Sequence, residues 1–242
     1  PVEPWGRFLW CSGGSGPPGH AGGIVARRPT RRVLAVTEEY LSIAGPVEAE
    51  VEDRRSRFLA HLEPVPDEAT ARAVIEAARR RHHTARHHCS AFILGPDGAI
   101  ERSSDDGEPA GTAGAPMLEV QRGRELRDVV AVVTRWFGGT LLGAGGLVRA
   151  YSDAVAAASD AAELVRYRLA DMLELEVDYA IAGRVEASLR DRGVQVADVR
   201  HGAQATLVLA VPPAERAAVT SAIAELTGGR GRPVGAGTRW LA

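Results

Sequence analysis

The sequence predicts an α+β protein of two domains, the second of them a ferredoxin-like sandwich. Three observations carry this. From Gly45 to Arg166, short alternating or β-rich segments are interleaved with helical ones. After Arg166 a separate unit runs strand, helix, strand, strand, helix, strand, the order of a split βαβ sandwich. Between them, Val129–Val133 is a continuous apolar run, the pattern of a strand covered on both faces.

Residues 1–36 hold seven Gly and five Pro with no apolar period. Such a composition buries too little surface to offset chain entropy. The segment is expected to be a disordered arm, an expression tag or a mis-set start, and its Arg27–Arg32 stretch a weak anion-attracting tail. Val47, Ala49 and Val51 alternate with polar residues, as do Phe58, Ala60 and Leu62 after the polar Asp53–Ser56, which suits two strands. Pro66–Asp67 opens a helix, with Asp67 as its cap and Ala69, Ala73, Val74, Ala77 and Ala78 along its stripe to about Arg80. Ser90–Leu94 is the next strand, and Gly95-Pro96-Asp97-Gly98 turns it into Ala99–Arg102. A polar loop, Ser103–Gly111, leads to a short helix at Thr112–Val120. The run Val129–Val133 then enters a glycine-rich turn, Gly138–Gly146, and a long helix with Leu147, Tyr151, Ala154 and Ala158 on one side.

In the second unit Leu169–Val177 is a strand, and Ile181, Val185 and Leu189 mark an amphipathic helix stopped by Gly193. Val194–Val199 and Ala205–Val211 pair around His201-Gly202. Pro213–Leu226 is a helix with Pro near its start and Gly228 past its end, and Arg230–Trp240 supplies the last strand. The resulting division is 1–36 as an arm, 45–165 as the first domain and 167–242 as the second.

Composition narrows the function classes. The apolar runs fall far short of the ~20 residues that span a bilayer, so no membrane partner is expected. Two cysteines in unlike surroundings, Cys11 and Cys89, exclude a disulfide framework and suggest a cytoplasmic setting. The net charge of −2 means that a nucleic-acid surface must be a local patch. All 29 basic residues are Arg, and neither Lys nor Asn occurs, a bias expected of a GC-rich genome, so Arg counts by themselves carry no functional weight.

Two loops stand out. Thr134–Arg149 places Gly138, Gly139, Gly143, Gly145 and Gly146, with Thr140, between a buried strand and a helix start. Exposed N–H groups at the positive helix end, flanked by Arg135 and Arg149, suit a phosphate or carboxylate. The Walker and G-x-G-x-x-G patterns are both absent, and glycines in such a place also serve tight turns and close packing. The second loop, Ser104-Asp105-Asp106-Gly107-Glu108-Pro109 with Gly111 and Thr112, groups three carboxylates. They point either to a hard cation or to pairing with Arg135 or Arg149 that fixes the two loops together. His82, His83, His87, His88 and Cys89 raise a zinc reading, since His83 and His87 would share a helical face. No second ligand pair accompanies them, and a basic edge, partly protonated at low pH, fits better. No metal and no cofactor are expected, and no catalytic residue is assigned, because nothing has the spacing of a nucleophile elbow or triad.

The runs Glu108–Gly114 and Val132–Tyr151, the Arg55-Ser56-Arg57-Phe58 stretch and Ala85-x-His87-x-Cys89-x-Ala91 together resemble the YigZ/IMPACT family of translation-linked proteins, over about residues 45–240. The resemblance makes His82, His87 and Cys89 family-motif positions, although His83 stands where the family usually has Pro. It implies a first domain similar to elongation factor G domain IV, a two-layer α/β sandwich, and a second similar to that factor's domain V. It also implies a link to translation, since eukaryotic relatives restrain the kinase that senses amino-acid starvation on ribosomes. The favoured reading is a non-enzymatic regulatory module that binds RNA, the ribosome or a translation factor. The alternatives are a metal-assisted hydrolase using Asp105, Asp106 and Glu108 on a phosphate-containing substrate, and a purely protein-binding regulator.

Overall fold

The computed structural model describes residues 37–242, so the expectations for the arm 1–36 lie outside the described residues. The elements are β1 (Glu39–Ile43), β2 (Val47–Asp53), β3 (Ser56–Pro64), α1 (Glu68–Arg81), β4 (His87–Leu94), β5 (Ile100–Ser104), α2 (Gly114–Gly123), β6 (Val129–Trp136) and α3 (Gly143–Ala161). There follow β7 (Leu164–Val177), α4 (Tyr179–Asp191), β8 (Gln195–His201), β9 (Ala205–Val211), α5 (Arg216–Thr227) and β10 (Val234–Leu241).

The first sheet is antiparallel throughout, in the order β2-β3-β6-β4-β5. Its central strand explains why Val129–Val133 lacks polar alternation. Val129, Ala131 and Val133 face α2 and α3 in the main core, with Phe58, Leu62, Met117 and Tyr151. Val130 and Val132 face α1, against Val74 and Phe92. One strand therefore serves two apolar layers. Each fully buried Leu, Phe or Met there contributes roughly 1.5–3 kcal/mol of transfer free energy. α1 starts where the carboxylate of Asp67 accepts the N–H of Thr70 at 2.7 Å. The β2–β3 hairpin closes in two residues, Arg54 and Arg55, with φ of 47° and 65°. Both central positions of such a turn need positive φ, the place where Asn-Gly is usual. Two arginines hold it here.

The second sheet has the spatial order β10-β7-β9-β8 with α4 and α5 on one face, the ferredoxin-like arrangement expected from βαββαβ. One strand was not anticipated. β1, ahead of Gly45, joins this sheet by pairing Glu39–Ile43 with Arg168–Leu164 of β7, and its ladder meets that of β10 at Arg168, the partner of both Glu39 and Leu241. Tyr40 stacks on Tyr167 at 5.0 Å and meets Trp240 edge-on at 4.9 Å, which seals that junction.

Element limits differ from expectation at three places that matter for the site. β4 begins at His87, so His87 and His88 lie on a strand and point to opposite faces. α2 begins at Gly114 rather than Thr112. α3 begins at Gly143, which puts Gly143, Gly145 and Gly146 inside its first turn rather than ahead of the helix.

Candidate functional site

The acidic loop is tied down residue by residue. Asp105 accepts the N–H groups of Gly111, Ala113 and Gly114 at 2.7, 3.0 and 2.8 Å, which fixes the start of α2. Asp106 accepts from Arg79 Nη2 at 2.8 Å and from the His88 N–H at 2.7 Å, while its carbonyl accepts from His87 Nδ1 at 2.9 Å. Glu108 is buried and accepts on Oε1 from Arg135 Nη1 at 2.6 Å and from the Tyr151 hydroxyl at 2.8 Å. Cys89 donates to the Asp105 carbonyl at 3.0 Å and lies 3.2 Å from the Tyr151 hydroxyl. Burial pushes the Cys89 thiol up to about 12, so it is a packed donor with little thiolate.

This geometry separates the two readings of the acidic loop, a hard cation or pairing with an arginine. The three carboxylates face three separate sets of donors, and among the described residues no group of His, Cys, Asp or Glu converges as metal ligands do. The pairing alternative is the observed one for Arg135 alone; Arg149 has no such contact with the loop. The zinc reading set aside above has no geometric basis either, because His83 sits in the turn after α1 and His87 on a strand. Nor are the histidines a charged edge as a group: burial holds His82 and His88 below the usual imidazole range.

The glycine turn is anchored on the β2–β3 hairpin. Ser56 Oγ accepts the N–H of Gly138 at 3.1 Å, and Arg55 Nη2 donates to Thr140 Oγ1 at 3.4 Å. Gly138 is required by packing, since a Cβ there would lie 2.0 Å from the Arg55 carbonyl carbon. Gly139 and Gly143 have φ of +86° and +71°, a region other residues enter at a cost. A Cβ added at Gly145 would meet no atom within 4 Å. The residue before α3, Leu142, offers no side-chain cap, so the first N–H groups of this 19-residue helix stay available.

The two loops enclose a cavity of about 400 Å³. Arg86, His87, Glu108 and Arg135 give its polar lining, and Phe137, Leu141, Leu142 and Leu147 its apolar walls beside Gly143. Phe137 and Leu141 are 52% and 82% exposed. Arg135 lies over the Phe58 and Phe137 rings, with its guanidinium carbon 5.3 and 5.7 Å from their centroids. Of the expected site residues, the structure gathers Arg135, Gly143, Glu108, Pro109 and His87 at this cavity; Arg149 is not part of its lining. Arg86, Phe137 and Leu141 were missed. Bulky apolar residues within a glycine-rich exposed turn were the available signal.

Asp105 gives a pH prediction. Burial raises its carboxyl, but the N–H groups of Gly111, Gly114 and Ala113 outweigh this and hold it below the usual carboxylate range. A group depressed on folding adds stability above its unfolded value, about 3.9, and loses it as pH falls through the folded value. Asp105→Asn is expected to lower the melting temperature at pH 7 and to shrink the difference from wild type below about pH 4. Parallel pH–melting curves would refute the assignment.

Fold and site together define a two-domain α+β protein in which a ferredoxin-like sheet follows an antiparallel sheet whose acidic loop and glycine turn lock over a buried Arg–Glu pair. Residues 54–159 match the Impact N-terminal domain, and residues 175–230 match a domain of unknown function, DUF1949. The chain belongs to the IMPACT family. It is similar to the IMPACT family member YvyE of Bacillus subtilis, 37% identical over 191 residues, covering 79% of this chain and 88% of that protein. YigZ of Escherichia coli is 37% identical over 196 residues, 79% of this chain and 95% of that one. A crystal structure of a hypothetical protein covers 81% of this chain and 97% of its own at 35% identity, with a TM-score of 0.56.

Proposed function

We propose that this chain is a non-enzymatic, translation-linked regulatory module that works in the cytoplasm and docks on RNA, free or ribosomal, through the loop end of its first sheet. One observation carries the reading. The uncapped start of α3 opens on a cavity rimmed by Arg86, next to a hairpin tip of Arg54 and Arg55, and none of these three arginines has an acidic partner among the described ion pairs. A basic rim around a bare helix N-terminus suits phosphate. Exposed aromatic and leucine side chains beside it suit bases or a protein surface. The family resemblance supports the link to translation. Among the described residues no helix is long and apolar enough to cross a membrane.

The test is capture on ribosomes, and on isolated structured RNA, at low and high salt. Capture by both that falls steeply with salt is the expected result. Salt-insensitive capture by ribosomes without affinity for RNA would move the reading to a protein-binding regulator, and capture by neither would end it.

A further inference from the structure

We infer that the cavity between the two loops is a pocket for one unstacked nucleotide. Its phosphate would lie on the free N–H groups at the start of α3, its base against Phe137 and Leu141, and the base edge toward the Arg135–Glu108 pair. This rests on the RNA reading above and deepens it, because a basic rim alone requires only a phosphate backbone.

The helix start is joined by an independent feature of the floor. Arg135 is 6% exposed and lines the cavity, yet its Nε–H has no acceptor. A buried donor left unmade is costly, so the guanidinium is held at the floor by its Glu108 pairing with hydrogen-bonding capacity to spare. Glu108 supplies the complement. Both of its hydrogen bonds fall on Oε1, from Arg135 and Tyr151, and Oε2 takes none of those described. The floor therefore offers the Glu108 Oε2 acceptor beside the Arg135 guanidinium, a place for the amino donor on the edge of a nucleobase. The cavity of about 400 Å³ is of small-molecule size. Phe137 and Leu141, largely in solvent, provide a face on which a base can stack. An anionic group next to a planar one with a mixed polar edge is the chemistry of a nucleotide.

The test measures binding of a twelve-residue oligocytidylate and of a ribose-phosphate chain of equal length without bases, using the full chain. The expected result is that the based oligomer binds roughly ten-fold or more tightly. Phe137→Ala should abolish that preference with its salt slope and melting temperature unchanged, because the ring is exposed, and Phe137→Tyr should keep it. Equal affinity for the two oligomers overturns the nucleotide pocket while leaving the RNA reading intact. Failure of both oligomers to bind overturns both. Displacement of bound RNA by a phosphotyrosine peptide at lower concentration than by cytidine monophosphate also overturns it, and assigns the cavity to a protein side chain.

Discussion

Glu108→Ala is expected to destabilise the first domain more than any other single change in the acidic loop. The substitution leaves Arg135, 6% exposed, without the carboxylate 2.6 Å from its Nη1. Taking a guanidinium out of water is tolerated only while a partner and hydrogen bonds compensate, and removing one partner of a buried pair costs about 3–5 kcal/mol. Tyr151 loses its acceptor at the same time, and its ring packs edge-on against Phe58 at 5.2 Å, so the loss reaches the main core. The melting temperature should fall by roughly 10 °C. Removing both charges is the control. Glu108→Leu with Arg135→Met leaves no orphaned ion and should recover most of the loss, since apolar replacement of a whole buried pair is often neutral. If Glu108→Ala melts like wild type, Arg135 reaches water and the pair does not lock the loops.

How much of this was legible before folding depends on how local its cause is. Asp67, with Pro66 ahead and an alanine stripe behind, announces its own helix because the cap and the period lie within a few residues. The second domain's order of elements was legible for the same reason. β1 was not, since Glu39–Ile43 has meaning only through pairing with residues more than a hundred positions later, and no short-range pattern records that partner. The site divides in the same way. That the loops of Asp105 and Gly138 belong together was visible in their unusual composition. Which arginine joins them was not. Arg135 precedes the turn on a strand and is carried inward beneath it, whereas Arg149 lies on an exposed face of α3. Two arginines flanking one turn are equivalent in sequence and differ only once strand and helix directions are set. The acidic cluster misled for a related reason: carboxylates that share a loop need not share a ligand, and here the backbone turns each toward its own donors.

The glycine turn yields the sharpest test of function, because its glycines are required for different reasons. At Gly138 a Cβ would sit 2.0 Å from the Arg55 carbonyl carbon and 2.3 Å from the Ser56 nitrogen, backbone atoms that cannot yield without opening the hairpin. Gly138→Ala is therefore a folding defect and says nothing about ligands. Gly145 is exposed on the first turn of α3, and a Cβ there meets no atom within 4 Å. Valine fits, and helix propensity rises relative to glycine, so the melting temperature should hold or increase slightly. What valine removes is close approach to the helix start, where a phosphate would accept N–H groups in charge-assisted bonds. Such bonds are worth about 1.5–3 kcal/mol, so RNA affinity should fall roughly ten- to a hundred-fold in a protein that remains folded. Binding unchanged in folded Gly145→Val would remove the helix start from the RNA surface and leave only the arginine rim, whose loss reads differently. Arg86→Ala would then weaken binding across all sequences and lower the salt slope by about one, the signature of a single phosphate contact.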